Sequence, residues 1–123
     1  MDKEIQLKRH IVDVVTRFEQ DQMSITPDLV AVALHPDLLV VTLRGVTSPA
    51  EKHLAREQPG RTLLGELYGG LFNSVKQVLE VAIEDVLGDQ VERSNMTVEP
   101  ESGNGVMLFT LAGRLNDEHS GKI

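Results

Sequence analysis

Few side chains in this sequence have the type and spacing that metal binding or catalysis requires. The four histidines are His10, His35, His53 and His119, and no two of them are four residues apart, as ligands on one helical face would be. The chain contains no cysteine, so no thiolate is present to complete a metal site or to act as a nucleophile. We therefore interpret the histidines as surface residues and expect no bound metal and no cofactor.

An acidic cluster is formed by Glu80, Glu84 and Asp85. Glycosidase-type catalysis needs two carboxylates on either side of a cleft, in different environments. These three share one predicted helix and lie off its apolar positions, which favours an exposed acidic face over a catalytic pair. Residues 60–66 have the glycine spacing of a phosphate loop, but Glu66 occupies the position of the required lysine. The sequence thus predicts a protein that is not an enzyme.

Two arginines flank the Pro59-Gly60 pair and offer a site for a small anion. Arg56 and Arg61 would lie beside Gly60 at the start of a long predicted helix, where backbone N–H groups carry partial positive charge. Arg56, Gly60 and Arg61 are our candidate ligand-binding residues, with bicarbonate, phosphate or a nucleotide as the candidate ligand. This site gives the alternative function, a small-anion or nucleotide sensor.

Composition restricts the possible partners. The net charge is −7, from 12 basic and 19 acidic residues, which opposes general nucleic-acid binding because phosphate contacts need lysine and arginine. Residues 1–6 are charged and do not form a secretory signal, and no apolar run approaches the roughly 20 residues that span a bilayer. We expect one soluble, cytoplasmic domain with no direct membrane insertion and no nucleic-acid partner.

Hydrophobic periodicity predicts a helix at residues 3–23, followed by a β-hairpin of strands 29–34 and 38–43 around His35-Pro36-Asp37. Both strands are almost continuously apolar, so we expect one face of the hairpin to meet the helices and the other a second subunit, giving a homodimer. Ser48 and Glu51 have the spacing of a capping box, with Pro49 at the first helical position. The short helix that begins there should end near residues 58–60.

A longer helix is predicted at residues 61–87, with Gly88 as its left-handed C-terminal cap. Gly69 and Gly70 interrupt it, and each costs up to about 1 kcal/mol relative to alanine. We favour close packing as their reason and keep a partner or ligand contact as the alternative, which makes Gly69 and Gly70 our candidate interface residues. The predicted core positions of this helix are Leu64, Leu67, Leu71, Val75, Val78, Ala82 and Val86.

The last elements are an edge strand at residues 90–99 and a strand at 106–111, which should form a second hairpin across a turn-rich connector. The predicted fold class is α+β, with two layers, a four-stranded antiparallel sheet and helices on one face, in the order α-β-β-α-α-β-β. We predict one domain over residues 1–115 and a disordered tail over residues 116–123.

The chain resembles the MpsC-like family over residues 17–111. The residues that carry the resemblance are Arg17-Phe18-Glu19 at the end of the first helix, the block Leu43-Arg44-Gly45-Val46-Thr47-Ser48-Pro49-Ala50-Glu51-Lys52-His53-Leu54, Gly60-Arg61, the helix end at 83–91 and the last strand at 106–111. Members often carry a glycine-arginine-glycine-proline turn, whereas this chain has Ser24-Ile25-Thr26-Pro27, so only Pro27 corresponds.

The resemblance implies an association with a sodium-translocating, membrane-potential-generating system, whose relatives are linked to inorganic-carbon uptake. It supplies no catalytic residues. We therefore expect a non-enzymatic accessory or regulatory protein that acts by protein–protein contact, with a component of a membrane transport system as a candidate partner.

Overall fold

The computed structural model describes residues 2–113. The elements follow the order α1 (Lys3–Gln22), β1 (Leu29–His35), β2 (Leu38–Arg44), α2 (Pro49–Leu54), α3 (Gln58–Leu87), β3 (Val91–Glu99) and β4 (Asn104–Leu111). This order and the α+β class confirm the fold predicted from the sequence. The domain boundary at residue 115 and the tail at residues 116–123 lie outside the described residues.

The four strands form one antiparallel sheet in the spatial order β1-β2-β4-β3. Both hairpins are present, and β3 lies at an edge, as predicted. Pairing of β2 with β4 joins the hairpins, and Val41 is opposite Val32 on one side and Met107 on the other. Because side chains alternate between the two faces of a strand, this register places all three on the same face of the sheet.

The hydrophobic core lies between that face and the helices α1 and α3. Ile11 and Val15 of α1 have no exposed surface, and neither do Leu39 and Phe109 of the sheet. The ring of Phe18 meets the ring of Phe72 edge to face, with centroids 6.1 Å apart and an interplanar angle of 80°. This pair joins α1 to α3 above the sheet.

Helix α2 begins at the predicted capping box. The Ser48 hydroxyl accepts a hydrogen bond from the N–H of Glu51 (3.1 Å), and the Glu51 carboxylate accepts one from the N–H of Ser48 (2.8 Å). The prediction that this helix extends to residues 58–60 is wrong, because α2 ends at Leu54 and α3 already begins at Gln58. Pro59 therefore lies in the first turn of α3, where proline is tolerated.

Helix α3 is 30 residues long and continues through Gly69 and Gly70 without a break. Gly88 ends it in the left-handed conformation at φ 67°, as predicted. The predicted core positions of α3 are partly wrong, because Leu67, Leu71 and Val78 are exposed. The buried residues of the helix are instead Gly60, Leu64, Tyr68, Phe72, Leu79, Ile83 and Leu87. The sequence offers apolar residues on both sides of this helix, and the choice between them depends on the sheet.

Candidate interaction surface

Helix α3 has a second apolar face that points away from the core, which we call the outer α3 face. It consists of Leu63, Leu67, Leu71, Val78 and Val81, each between 39% and 57% exposed. Four of these directly precede a buried residue of the helix, namely Leu64, Tyr68, Phe72 and Leu79. Since consecutive helical residues are about 100° apart around the axis, the outer α3 face and the core face lie side by side on one helix.

Gly69 and Gly70, in the middle of α3, have no packing role among the described residues. A Cβ placed on Gly69 or Gly70 would have no heavy atom of residues 2–113 within 4 Å, apart from its own helical backbone and chain neighbours. The explanation that we favoured, close packing of another element on these glycines, is therefore not met within residues 2–113. Gly70 shares the outer α3 face with Leu67 and Ser74, which are separated from it by three and four positions. The alternative, a partner or ligand contact of Gly69 and Gly70, stays a prediction.

The polar side of α3 is tied to the edge strand β3. The Ser94 hydroxyl donates a hydrogen bond to the Glu80 carboxylate, and Lys76 donates to the Ser94 carbonyl over 3.3 Å. The Glu84 carboxylate accepts a hydrogen bond of 2.8 Å from the N–H of Val91. Glu80 and Glu84 are thus half-buried ties between helix and sheet, and the predicted exposed acidic face is wrong for both. Asp85 is exposed, as predicted.

The predicted anion-site residues meet at the junction of α2 and α3. The Arg61 guanidinium donates to the carbonyls of Ala55 (3.1 Å) and Arg56 (3.2 Å) and to the Gln58 side chain (3.0 Å). Its Nε lies 3.7 Å from the Glu101 carboxylate. These contacts hold the chain between the two helices in place and use several of the donors that an anion would need. Whether this junction binds an anion stays a prediction.

Gly60 and Arg56 have different environments at that junction. A Cβ on Gly60 would overlap the carbonyl oxygen of Leu54, so glycine is required for the close approach of α3 to the end of α2. Arg56 is exposed two residues before α3. The structure therefore gives Gly60 a packing role, while Arg56 is left at the surface near the helix N-terminus.

The sheet has an outer face that the described helices do not cover, which we call the outer sheet face. Leu29, Val40 and Leu108 lie on it, on three different strands, and Leu29 is 48% exposed. The expectation that one face of the first hairpin meets the helices is confirmed by the packing of Val30 and Val32 against the core. Within residues 2–113, nothing packs on the other face, and its proposed contact with a second subunit stays a prediction.

One carboxyl group is buried in the core, which the sequence patterns did not reveal. Glu19 has no exposed surface, and neither of its carboxylate oxygens has a hydrogen-bond partner among residues 2–113. Burial raises the pKa of Glu19 to about 7. Burial and the neighbouring Glu51 carboxylate also raise the pKa of Tyr68, whose hydroxyl donates to the Val46 carbonyl over 3.3 Å. The available signal was its position: Glu19 lies four residues after the buried Val15 and directly after the buried Phe18, so it lies on the core side of α1.

The part of the chain that the structure describes lacks two features that are associated with particular functions. Within residues 2–113, no group of three or more histidine, aspartate or glutamate side chains has a geometry that fits a metal ion. In the same part of the chain, no helix combines the length and the apolar character needed to cross a membrane.

Comparison with known proteins gives one match. No curated protein and no solved structure matches the chain. A family model described as "Na+-translocating membrane potential-generating system (MpsC)" matches residues 3–113, the span from the start of α1 to just beyond β4. Since this match extends over most of the 123 residues, the chain belongs to the MpsC family.

Proposed function

We propose that this protein is a non-enzymatic accessory or regulatory protein that acts by protein–protein contact. The observation that carries the proposal is the outer α3 face, five large apolar side chains that no part of residues 2–113 covers. Monomeric proteins seldom leave apolar residues contiguous over such a length, and larger exposed patches mark interaction sites. The polar groups nearby support this proposal, because Glu80, Glu84 and Arg61 are engaged in holding elements of the fold together.

The first proposed partner is a second copy of the chain. A two-fold interface uses the same surface on both subunits, so one apolar face is enough to form it. The outer α3 face is suited to this because its five apolar side chains lie along one side of a single helix. The homodimer would have twice the 13.6 kDa mass of the chain.

The second proposed partner is a component of a sodium-translocating membrane system. The description of the MpsC family motivates this proposal. We propose that the protein acts from the cytoplasm on this system, in the context of membrane-potential generation or of inorganic-carbon uptake. The outer sheet face is a second apolar surface of the described residues. We assign the contact with the membrane component to it, in place of the second subunit that the sequence led us to expect there.

The two contacts are tested by separate variants. Light scattering at micromolar concentration should give a mass near twice 13.6 kDa for the native protein and for Leu29→Glu, and near 13.6 kDa for Leu67→Glu. A monomeric native protein would exclude the homodimer. Circular dichroism of both variants checks that the fold is retained, since both substituted side chains are about half exposed in the chain.

The accessory role is tested by co-purification from detergent-solubilised membranes of the native host. The native protein should recover a membrane component of a sodium-translocating system, identified by mass spectrometry. Leu29→Glu should lose that component while keeping its own mass. If the native protein recovers no such component, the accessory role is rejected. If Leu29→Glu recovers as much as the native protein, the outer sheet face is not the contact.

A further inference from the structure

We infer that two copies of the chain pair through α3 in an antiparallel orientation, with the two-fold axis crossing the helices near residue 72. This inference rests on the homodimer proposed above and adds its geometry. Three features support this geometry: the order of residues along the outer α3 face, the charges at the two ends of α3, and the position of the small residues on that face.

Four of the five residues of the outer α3 face are placed nearly symmetrically about residue 72, and the fifth, Leu71, lies next to this centre. Leu63 and Val81 lie nine positions before and after residue 72. Leu67 and Val78 lie five before and six after it. In an antiparallel pair, each of these residues would therefore meet its counterpart of similar size on the other copy. With a rise of about 1.5 Å per residue, the contact from Leu63 to Val81 would extend over about 27 Å.

Small residues occupy the centre of this arrangement. Gly70 and Ser74 lie two positions before and after residue 72, and both are exposed on the outer α3 face. Where two helices cross, small side chains allow the backbones to approach closely. Opposite Gly70, the second copy would present Ser74, and the Cβ-free surface of Gly70 would then have a neighbour. This contact gives a reason for a glycine that costs helix stability and has no packing partner among residues 2–113.

The charges at the ends of α3 favour the antiparallel orientation. The first turn of α3 contains no acidic residue, and the Glu57 side chain makes no capping hydrogen bond to that turn. The last turn contains no basic residue, although Asp85 is exposed there in line with Val78 and Val81. A helix has partial positive charge at its N-terminus and partial negative charge at its C-terminus, so this distribution is unfavourable in one isolated helix.

Antiparallel pairing offsets these unfavourable interactions between the end charges and the helix dipole. Asp85 lies thirteen positions after residue 72, and its counterpart thirteen positions before is Pro59 in the first turn of the other α3. The Asp85 carboxylate would then lie beside the uncapped N-terminus and the exposed Arg56 of the other copy. A parallel pair would instead place Asp85 beside Asp85 and both positive helix ends together. The charges therefore select between two orientations that the apolar residues alone permit.

The absence of cysteine from the chain makes disulfide cross-linking a clean test. Leu63→Cys and Val81→Cys are made as single variants, one of them with an added tag that changes its size. Each is oxidised alone and in an equimolar mixture, and the products are separated by non-reducing electrophoresis. Leu29→Cys on the outer sheet face is the matched control, since Leu29 and Leu63 are both about half exposed.

The expected result is a covalent heterodimer in the Leu63→Cys and Val81→Cys mixture, and at most a tenth as much product from either variant alone. A strong homodimer of Leu63→Cys alone would establish a parallel pair and overturn the inference. A dimeric mass by light scattering with cross-linking only through Leu29→Cys would overturn the geometry and leave the homodimer intact. A monomeric mass for the native protein would overturn both.

A charge exchange supplies a second measurement. Asp85→Lys and Arg56→Glu should each weaken dimerisation, by up to about fivefold in the dissociation constant, because exposed charge pairs contribute modestly. The variant with both substitutions should bind more tightly than the two single losses combined predict, although the lysine would still face the positive helix N-terminus of the other copy. Additive weakening in the double variant would show that the two residues do not meet, and would overturn the antiparallel register.

Discussion

The two faces of α3 carry equally apolar residues but have opposite positions in the fold. Phe72 and Leu79 are 1% exposed, whereas their direct predecessors Leu71 and Val78 are 39% and 55% exposed. Hydrophobicity alone therefore does not decide which residues of this helix enter the core. The decisive factor is what lies opposite, since α1 and the sheet cover one face and no residue from 2 to 113 covers the other. The exposed face is therefore free to contact another molecule, as the proposals above require.

The largest expected effect separates the two faces directly. Phe72→Ala should destabilise the protein by about 3–5 kcal/mol, because it leaves a cavity at the contact between Phe72 and Phe18. Leu71→Ala, one residue earlier, should change the free energy of unfolding of the monomer by about 0.5 kcal/mol or less. Both free energies are measured by urea unfolding at a protein concentration low enough to keep the chain monomeric. Equal losses would mean that the two faces are not distinct.

The next effect concerns the carboxyl group within the core. The pKa of Glu19 is about 7 in the folded protein against 4.5 for an unperturbed glutamate, so the folded state holds this proton more tightly than the unfolded state. The contribution to stability is complete below about pH 4.5 and is lost as the pH rises to about 7, amounting to about 3 kcal/mol. Relative to native protein, Glu19→Gln should gain stability by about this amount between pH 4.5 and pH 8.

Urea unfolding at several pH values tests this expectation, and Glu92→Gln on the exposed side of β3 is the control. The control should follow the pH profile of the native protein. If Glu19→Gln follows it as well, then Glu19 does not take up a proton in the folded state at neutral pH.

A smaller effect distinguishes a glycine inside the fold from one on the outer α3 face. Gly60→Ala should destabilise by about 1–3 kcal/mol, because the new methyl group would overlap the Leu54 carbonyl. Gly70→Ala should instead stabilise the monomer by up to about 1 kcal/mol, since alanine favours the helix and meets no described neighbour. Thermal unfolding of the two variants at one protein concentration is the measurement. A loss of stability in monomeric Gly70→Ala would indicate a contact within the chain.

The smallest expected effect is at the α2–α3 junction. Phosphate or bicarbonate should raise the melting temperature little, because the Arg61 guanidinium already donates to two carbonyls and to Gln58. A ligand at 100 times its dissociation constant would stabilise by about 2.7 kcal/mol, which a thermal-shift assay detects easily. A shift of that size, abolished by Arg56→Ala, would favour the anion-sensor alternative over the contact-based function.

Local signals were enough to predict the elements. The capping box of Ser48 and Glu51 and the cap at Gly88 depend on neighbouring residues, and both are present as predicted. The two hairpins could also be predicted, because each joins strands that are neighbours in the sequence, whereas the pairing of β2 with β4 that joins the hairpins was not predicted. The boundary at residues 58–60 was missed, since Pro59-Gly60 reads as a helix end but is accommodated in the first turn of α3.

Features that depend on distant residues could not be predicted. Periodicity shows that α3 has apolar residues on more than one side, but the inward side is fixed by contacts with α1 and the sheet. The burial of Glu19 depends on the same packing, since its polar type indicates a surface position. The ties from Glu80 to Ser94 and from Glu84 to Val91 join residues separated by a connection whose path the sequence does not define. The outer α3 face could therefore be identified only once the packing of α3 against α1 and the sheet was known.

The edge-to-face contact of Phe18 with Phe72 has a mechanical consequence for α3. Both faces of α3 belong to one helix. A rotation of α3 about its axis, made to fit the outer α3 face to a partner, would therefore separate the rings of Phe18 and Phe72. We therefore expect α3 to bind its partner as a nearly rigid body, with the same backbone position in the free and the bound protein. Side-chain rotamers at the surface would supply the remaining adjustment.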